Sequence, residues 1–408
     1  MNQPTRRTFC LTAAASLLPR QIYAQSRAET HPDIAAIDHD RILASAAEAL
    51  KVPIAPITTL TAPRSPGTPH DFYSEPEDFF PDAASPTAPW LQRPNSTNPD
   101  AFTAHRDAIY QLSVTIAALT AAGTITSEEK YPAKAADHLR AWFITPATRI
   151  NPTLEFAQRI PNTKISRPEG IIDSLPLAEV ARSLRFLAAS NAIPEEDLAT
   201  IRKWFSDYST WLNESRTAGL ARDRRDHHAS SWLFQAAAYA DANVTGITSD
   251  DTALNLLRHR FKTATLRAQM NGNGIFPREV STPNPYRNAL FNLDLLTLAC
   301  ELLTTRFDNP WEYELQDGPG LRAAIAYHYP FIRTPATWPY PADASHFKEL
   351  PGRRISLLLA GHAYTQPSYV DLWKSLSPLP QTAAPELLRT FPVSQPLLWF
   401  TKPKPRLN

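Results

Sequence analysis

The feature that most constrains this chain's fold is a succession of long amphipathic segments, separated by turn signals, that begins near residue 100. The first segment, 101–123, repeats its apolar residues at intervals of three and four: Ile109, Leu112, Ile116 and Leu119. This spacing places them on one face of a helix, and Gly123 predicts where that helix ends. The next segment, 127–144, opens with serine followed by two acidic residues, as helix amino termini commonly do. Together they predict a helical hairpin.

Further helices are predicted along the chain, whereas the period of two expected of strands is scarce. Their approximate bounds are 40–50, 174–190, 194–213, 228–243, 249–268, 288–307, 320–331 and 352–364. Successive antiparallel helices form a bundle, a solenoid or a ring of hairpins. Irregular connections at 144–173 and 269–287 favour the ring, because they would gather at one mouth and form a site. We therefore predict an all-α fold, an incomplete α/α toroid of antiparallel helical hairpins with long loops at the cleft.

Residues 52–100 are crowded with proline, which interrupts helices and central strands alike. A linker is one interpretation of such a segment. It nevertheless carries several large aromatic residues: Phe72, Tyr73, Phe79, Phe80 and Trp90. Aromatic residues in a long loop commonly pack on a domain or line a cleft, so we expect this segment to wrap over a site.

The amino terminus resembles an export signal. Arg6 and Arg7 precede a short apolar run that ends at Pro19, and a small-residue exit follows at Ala24. We predict a twin-arginine signal at 1–24 and a periplasmic or secreted protein. The rest divides into a leader with a first helix at 25–60, one domain at 61–396 and a tail at 397–408. No other segment approaches eighteen consecutive apolar residues, so we expect no membrane span in the mature protein.

Charge and cysteine content narrow the possible partners. The 41 Lys and Arg nearly cancel the 40 Asp and Glu, which leaves no general basic field for nucleic acid or an anionic membrane. Any recognition of anions must therefore be local. Cys10 falls in the signal and leaves Cys300 without an intramolecular partner, so we interpret Cys300 as a buried small hydrophobic residue.

The stretch RRDHHASSW, at 224–232, places two histidines side by side at the predicted start of a helix. Neighbouring helical residues diverge by about 100°, so His227 and His228 cannot easily hold one metal ion, and we predict no metal site. The pair is either structural or catalytic. The adjacent arginines Arg222, Arg224 and Arg225 suit an anionic substrate, although a solvated surface would also carry them.

A second candidate segment, 271–296, begins as a loop of glycine, proline and asparagine and continues as a helix. Arg278, Tyr286 and Arg287 lie in this loop or at its exit. A lone tyrosine in such a place is usually a packed loop residue. Combined with His228 and an arginine, Tyr286 could instead remove a proton beside a carboxylate.

Several phrases resemble the alginate lyase family of polysaccharide lyases. TPATRINPTLEFAQRIPN followed by EGIIDS is similar to the family's DPATRMNPNLxYAQAIPG and GIID. The phrases HDFYSEPEDFFPD, WLQRPNSTNPD, TWPYPADASHF and RRISLLLAGHAY also fit the family in order. The resemblance extends over roughly residues 65–375. It implies an α/α toroid and an enzyme that needs no cofactor.

The resemblance also implies site residues. The family's Asn-Asn-His-Gly-Thr-Trp phrase matches the chain from Asp226 onward, so the family histidine corresponds to His228 and the asparagine before it to His227. YRNALFNL is similar to the family's HYSNFNL, which implies Tyr286 as the catalytic tyrosine, with Arg278 as the nearest arginine. The remaining residues implied in substrate binding are Tyr73, Arg93, Asn151, Gln158, Arg225, Trp232 and Arg287.

Lyases of this kind cut a 4-linked uronic acid by β-elimination, for which the C5 proton must be removed. That proton is acidic only when the attached carboxylate is neutralised, which asparagine, histidine or arginine donors can do. In the family tyrosine serves as base or acid, with histidine available as the other proton carrier. We therefore expect a lyase acting on an anionic polysaccharide such as alginate or glucuronan. The alternatives are a glycan-binding protein without activity and a hydrolase, although no carboxylate pair suited to hydrolysis stands out.

Overall fold

The computed structural model describes residues 30–403 apart from 95, 245–250, 315, 317, 319 and 380–382. The predicted export signal at 1–24 lies outside this part of the chain. The described residues are mainly helical, which confirms the all-α prediction. One short antiparallel ladder joins β1 (Phe79–Phe80) to β2 (Leu91–Gln92).

The helices occur along the chain in hairpins. They are α1 (Ile34–Ile37), α2 (His39–Ala49), α3 (Ala104–Thr126), α4 (Lys130–Leu139), α5 (Leu177–Leu187), α6 (Glu195–Glu214), α7 (Arg216–Arg222), α8 (His227–Ala242), α9 (Thr252–Arg260), α10 (Leu266–Gln269), α11 (Pro285–Leu303), α12 (Leu321–Arg333), α13 (Ile355–Ala363), α14 (Pro367–Ser375), α15 (Pro385–Leu388) and α16 (Pro396–Phe400). Single π-helical turns follow α4 and α9 at Arg140–Ile144 and Phe261–Thr265. The long helix predicted at 249–268 is therefore interrupted, and α7, α14, α15 and α16 were not predicted.

The helices form a ring with an inner and an outer row. Each inner helix contacts the next in the order α3, α5, α8, α11 and α13. The outer helices α4, α6, α9, α12 and α14 pack on the inner ones that precede or follow them. Because the chain returns along the outer row between successive inner helices, the inner helices all begin at the same end of the ring. The segments that precede them therefore meet at one mouth, as we predicted from the long connections at 144–173 and 269–287.

Helix α3 shows how packing overrides a local signal. The helix continues through Gly123 to Thr126, and Ser127 terminates it in the left-handed conformation at φ 61°. A Cβ on Gly123 would lie 3.2 Å from Pro132 Cδ, so this glycine permits close packing of α4 and does not stop the helix. By length and composition α3 is apolar enough to cross a membrane, but 61% of its most apolar window is buried within the protein.

The proline-rich segment is an ordered part of the domain surface. Phe72, Tyr73, Phe79 and Trp90 are buried, and Tyr73 forms a single bridge with Phe156. Glu75 is also fully buried and accepts two hydrogen bonds of 2.6 Å from Arg64. The segment therefore packs on the ring instead of serving as a linker.

The carboxyl-terminal segment closes the ring. Arg41 on α2 donates to the carbonyl of Ser394 over 3.2 Å, and Arg353 before α13 pairs with Asp38 over 2.7 Å. Helix α16 buries three of its residues, Leu397, Leu398 and Trp399. The expected boundary between domain and tail after residue 396 consequently falls within a packed helix.

Candidate active site

Asp226 begins the inner helix α8 and fixes its first turn. The residue is extended, at φ −145° and ψ −176°, and Oδ1 accepts the backbone N–H of His228 over 3.1 Å. This is the geometry of an N-cap, which satisfies one of the otherwise unpaired N–H groups of a helix start. The same oxygen lies 2.8 Å from Nδ1 of the His228 ring. Helix capping and the orientation of His228 thus depend on one carboxylate.

Asp226 is held as a carboxylate by a neighbouring arginine. Arg224 donates from Nε to Asp226 Oδ2 over 2.9 Å and from Nη1 to Glu169 Oε1 over 2.9 Å. Although burial opposes its charge, hydrogen bonds from His228 and Arg224 hold the pKa of Asp226 well below its usual range. An ionised carboxylate only accepts, so Nδ1 of His228 carries the proton and Nε2 keeps a lone pair.

His227 has a carboxylate of its own. Glu279, from the loop before α11, accepts the His227 backbone N–H over 2.6 Å and lies 2.8 Å from Nδ1 of its ring. Glu279 has no exposed surface, and Phe291 on α11 covers the His227 ring at 5.5 Å between centroids. The two histidine rings are stacked, with centroids 4.3 Å apart and planes inclined by 29°. The start of α8 and the loop before α11 therefore position the histidine pair together.

The two histidines have opposite electrostatic environments. Burial opposes a positive charge on both rings, but the Glu279 carboxylate raises the pKa of His227 above its ordinary value. Burial and the neighbouring His227 charge lower the pKa of His228. Groups whose environments move their pKa values apart are suited to act as acid and base at one pH. Protonation is therefore favoured at His227 and disfavoured at His228 relative to an ordinary histidine.

Charged side chains extend from the pair along the mouth. Glu169, which binds Arg224, also lies 3.4 Å from Arg167, and Arg167 lies 3.3 Å from Asp78 on the proline-rich segment. The Arg167 guanidinium stands 5.1 Å above the Phe79 ring. Three of the segments that meet at the mouth are thereby joined by alternating charges.

A cavity of about 530 Å³ opens at the same end of the ring, between α2, α3, the start of α5 and residues 378–379 and 388–396. Arg106, Tyr110, Asp173 and Arg389 lie in its wall, and neither histidine does. Asp173 connects the cavity to Gln158, whose Nε2 donates to Asp173 Oδ2 over 3.1 Å. The cavity thus neighbours the charged mouth without containing the histidine pair.

Tyr286 does not join the histidines, contrary to the sequence-based expectation. Its ring is fully buried between Trp338 and Phe347, and its hydroxyl donates to the carbonyl of Phe331 over 3.0 Å. Burial raises the pKa of this phenol further above its ordinary value, which disfavours the phenolate needed for a base. In this structure Tyr286 has the environment of a core residue.

The family phrase itself explains the difference. When HYSNFNL is counted back from Phe291, its tyrosine falls at Asn288 and not at Tyr286, two positions earlier. Residues 288 and 291 are three apart and share a helix face, whereas 286 and 288 diverge by about 200°. Asn288 donates to Thr282 over 3.1 Å, in the loop that supplies Glu279. The position to which this count assigns the family tyrosine therefore carries an amide.

The predicted arginines are dispersed. Arg225 and Arg278 are exposed and immediately precede Asp226 and Glu279, the two carboxylates of the pair. Arg287 lies on the other side of α11, where its backbone N–H donates to Asp343 over 2.9 Å and burial lowers its pKa. Arg93 is exposed on the proline-rich segment, over the Phe80 ring at 4.8 Å. Arg225 and Arg278 are thus the predicted arginines next to the histidines in sequence.

The other predicted binding residues are used within the protein. Trp232 is buried and donates from Nε1 to the carbonyl of Leu212 over 2.9 Å. The Tyr73 hydroxyl donates to Glu75 over 2.6 Å, and Asn151 donates to Asp71 over 2.7 Å. Gln158 has a left-handed backbone at φ 48° and donates to Asp173. These four side chains hold segments of the mouth in position, and their contact with substrate stays a prediction.

Four residues of the site were not among the predicted site residues: Asp226, Glu279, Arg224 and Glu169. Asp before two helix-starting residues is an N-cap signal, which could have identified Asp226 as the partner of His228. Glu279 and Glu169 lie 52 and 55 residues from their partners, so no local pattern connects them. Within the described residues, no group of three or more His, Cys, Asp or Glu side chains could hold a metal ion.

Solved structures with the same architecture are alginate lyases. An alginate lyase from Bacteroides ovatus has a TM-score of 0.76 and 22% identity, over 91% of this chain and 97% of that chain. Alginate lyase A1-III from Sphingomonas species A1 has a TM-score of 0.51 and 12% identity, over 89% and 95%. A tyrosine-to-phenylalanine variant of A1-III, solved with a tetrasaccharide, has a TM-score of 0.50 and 13% identity, over 93% and 96%. These likenesses establish the fold as the α/α toroid.

The fold, taken together with a family match, defines the class of protein, a polysaccharide lyase built on an α/α toroid. A sequence profile described as alginate lyase matches residues 57–338, which is more than half of the chain. The chain belongs to the alginate lyase family. A search of curated proteins finds no match.

Proposed function

We propose that this lyase cleaves a 4-linked polyuronate by β-elimination and leaves an unsaturated uronate at the new chain end. The observation that carries the proposal is His228, an imidazole that Asp226 orients at the start of an inner helix and whose pKa burial lowers, which favours the neutral form. Its Nε2 has no hydrogen-bond partner among the described residues, and 9% of its side chain is exposed. A lone pair held in this way can take the C5 proton of a bound uronate.

Neutralisation of the substrate carboxylate is the second requirement of this chemistry. Glu279 raises the pKa of His227, which favours a positive charge next to His228. Arg225 and Arg278 are exposed beside the two carboxylates and provide further positive charge for an anionic chain. Charge that develops on the carboxylate is stabilised most strongly where water is sparse. The proposed substrate is therefore a polyanion, and the reaction requires no cofactor.

The proposal is tested by incubating purified protein with alginate, glucuronan and other polyuronates while absorbance near 235 nm is recorded. We expect an unsaturated product with at least one polymer. His228→Gln should reduce the rate by about 100-fold or more, because a positioned general base contributes about 10²–10⁴-fold. His259→Gln, which changes an exposed histidine on α9, is the matched control. Absence of unsaturated product from every polymer would refute the proposal.

One observation favours a second candidate, a glycan-binding protein without activity. The position of the family tyrosine is occupied by Asn288, which cannot exchange a proton near neutral pH. Calorimetry with the same polymers separates the two functions. Binding without any absorbance change would support the binding protein, whereas turnover would exclude it.

Export from the cytoplasm is a further part of the proposal, supported by Arg6 and Arg7 before the short apolar run. A large anionic polysaccharide is encountered outside the inner membrane. We expect the mature protein to be recovered after fractionation with a new amino terminus near residue 25. Replacing both arginines by lysine should retain the full-length precursor in the cytoplasm, and export of that variant at the normal rate would contradict a twin-arginine signal.

A further inference from the structure

Two structural properties of the histidine pair bear on the proton transfers that the elimination requires. The rings are stacked at 4.3 Å, and each Nδ1 lies 2.8 Å from a different carboxylate. Counted back from Phe291, the family phrase HYSNFNL assigns its tyrosine to Asn288 on the neighbouring helix. Elimination needs one group that accepts the C5 proton and another that donates to the departing oxygen. With an amide at 288, the second group must come from elsewhere.

We propose that His227 is this second group, a general acid that protonates the departing O4 while its neighbour His228 removes the C5 proton. The inference rests on the proposed lyase function. It assigns to two histidines the proton transfers that tyrosine and histidine perform in the family resemblance. His227 is then a catalytic residue, and Glu279 is the positioning residue that acts through it.

The charges around the pair maintain this division. Glu279 faces His227 from the loop before α11, while Asp226 faces His228 from the start of α8. Arg224 pairs with Asp226 and lowers the tendency of both rings to be protonated. Glu169 in turn binds Arg224, and the apolar Phe291 covers His227. Each Nδ1 has its own carboxylate, and neither Nε2 has a hydrogen-bond partner among the described residues; the His227 and His228 side chains are 13% and 9% exposed.

The proposed step balances in atoms and electrons. The C5–H proton moves to Nε2 of His228, and the C5–H electron pair forms the C4=C5 double bond as the C4–O4 bond breaks. The proton on Nε2 of His227 moves to O4, which becomes the hydroxyl of the released chain. His228 ends protonated and His227 neutral. Exchange of one proton with water at each ring restores the starting state.

Two substrates separate an acid from a group that only binds the carboxylate. One is the natural polymer, whose departing alkoxide needs a proton. The other is a uronide that carries nitrophenol at O4, whose nitrophenolate leaves unprotonated. His227→Asn, which introduces the family's residue, removes a positive charge that both reactions use and a proton that only the polymer reaction needs. It should therefore lower kcat on the polymer by about 100-fold or more beyond its effect on the nitrophenyl reaction. His228→Gln should abolish both reactions.

Glu279→Gln provides a second variant that keeps the histidine and removes its charge partner. We expect the same selective loss on the polymer and an alkaline limb of its kcat profile that begins at lower pH. Thermal unfolding of each variant identifies any failure to fold. Equal loss on both substrates, an unchanged polymer rate in His227→Asn, or no nitrophenolate release by the wild type would overturn the inference. If the wild type forms no unsaturated product from any polymer, the proposed function itself is wrong, and the inference fails with it.

Discussion

Replacing Glu279 by glutamine should destabilise the protein at mildly acidic pH and much less at alkaline pH. The amide can still accept the His227 backbone N–H, which now binds the carboxylate over 2.6 Å. Its NH₂ group then faces Nδ1 of His227 and can donate only to a neutral ring. The substitution therefore preserves the shape of the contact but removes its charge.

The size of the effect follows from the buried contact. Glu279 has no exposed surface, so solvent does not screen its pairing with His227. A hydrogen bond to a charged group contributes about 1.5–3 kcal/mol, which we take as the loss in unfolding free energy. Because the pKa of folded His227 is raised, this stabilisation is complete below the unfolded value of about 6.5. It is lost as pH rises through the folded value.

Urea unfolding of the wild type and Glu279→Gln at pH 6 and pH 9 measures this difference. The matched control is Glu349→Gln, which removes a similar partner from His346 at the surface, where the glutamate is 54% exposed. That exposed pair should contribute under about 1 kcal/mol. A Glu279→Gln deficit that is equal at both pH values, or larger at pH 9, would refute the assignment of a charged His227.

The remaining predictions concern packing and stereochemistry. Tyr286→Phe removes the hydrogen bond to the partly buried Phe331 carbonyl and should cost about 0.5–1.5 kcal/mol in denaturant unfolding, with kcat unchanged. A large loss of kcat would show that Tyr286 takes part in catalysis. Arg354→Met leaves the buried Asp294 carboxylate without its charge partner and should lower the free energy of unfolding by about 3–5 kcal/mol. Adding Asp294→Asn should restore part of this loss in a double-mutant cycle. The two histidines lie side by side at the start of α8 and would approach a bound uronate from one side. Product analysis should therefore find cleavage of uronates whose H5 and O4 lie on the same face of the sugar ring, as in mannuronate and glucuronate. Cleavage of galacturonan would contradict this.

Much of the fold could be predicted because helical periodicity is a local property. The inner helices α3, α5, α8 and α11 all coincide with amphipathic segments of the sequence, and the two long connections do meet at one mouth. The sequence-based predictions failed where tertiary packing determines where a helix ends. Gly123 looks like a helix stop, but it is needed for contact with Pro132. Short helices such as α7 and α16 carry too few residues for a periodic pattern.

The site was less predictable because its partners are distant in sequence. His227 and His228 could be identified from the resemblance, but the carboxylate of Glu279 comes from 52 residues away. Tyr286 was misplaced because a tyrosine two residues from the expected position still matches a short phrase. On a helix that offset turns the side chain by about 200°, from the histidine pair into the core.

The closure of the ring by the carboxyl-terminal segment has a consequence for folding. Arg41 and its acceptor at Ser394 are 353 residues apart, and the His31 ring stacks on Phe400 with centroids 4.8 Å apart. Contacts of such long range raise the contact order, and they cannot form until nearly the whole chain has been synthesised. Individual hairpins can assemble during translation, but the ring closes only after it. The two ends of the described chain also meet at this seam, so a circular permutant joined there and opened in an outer loop should fold to the same ring.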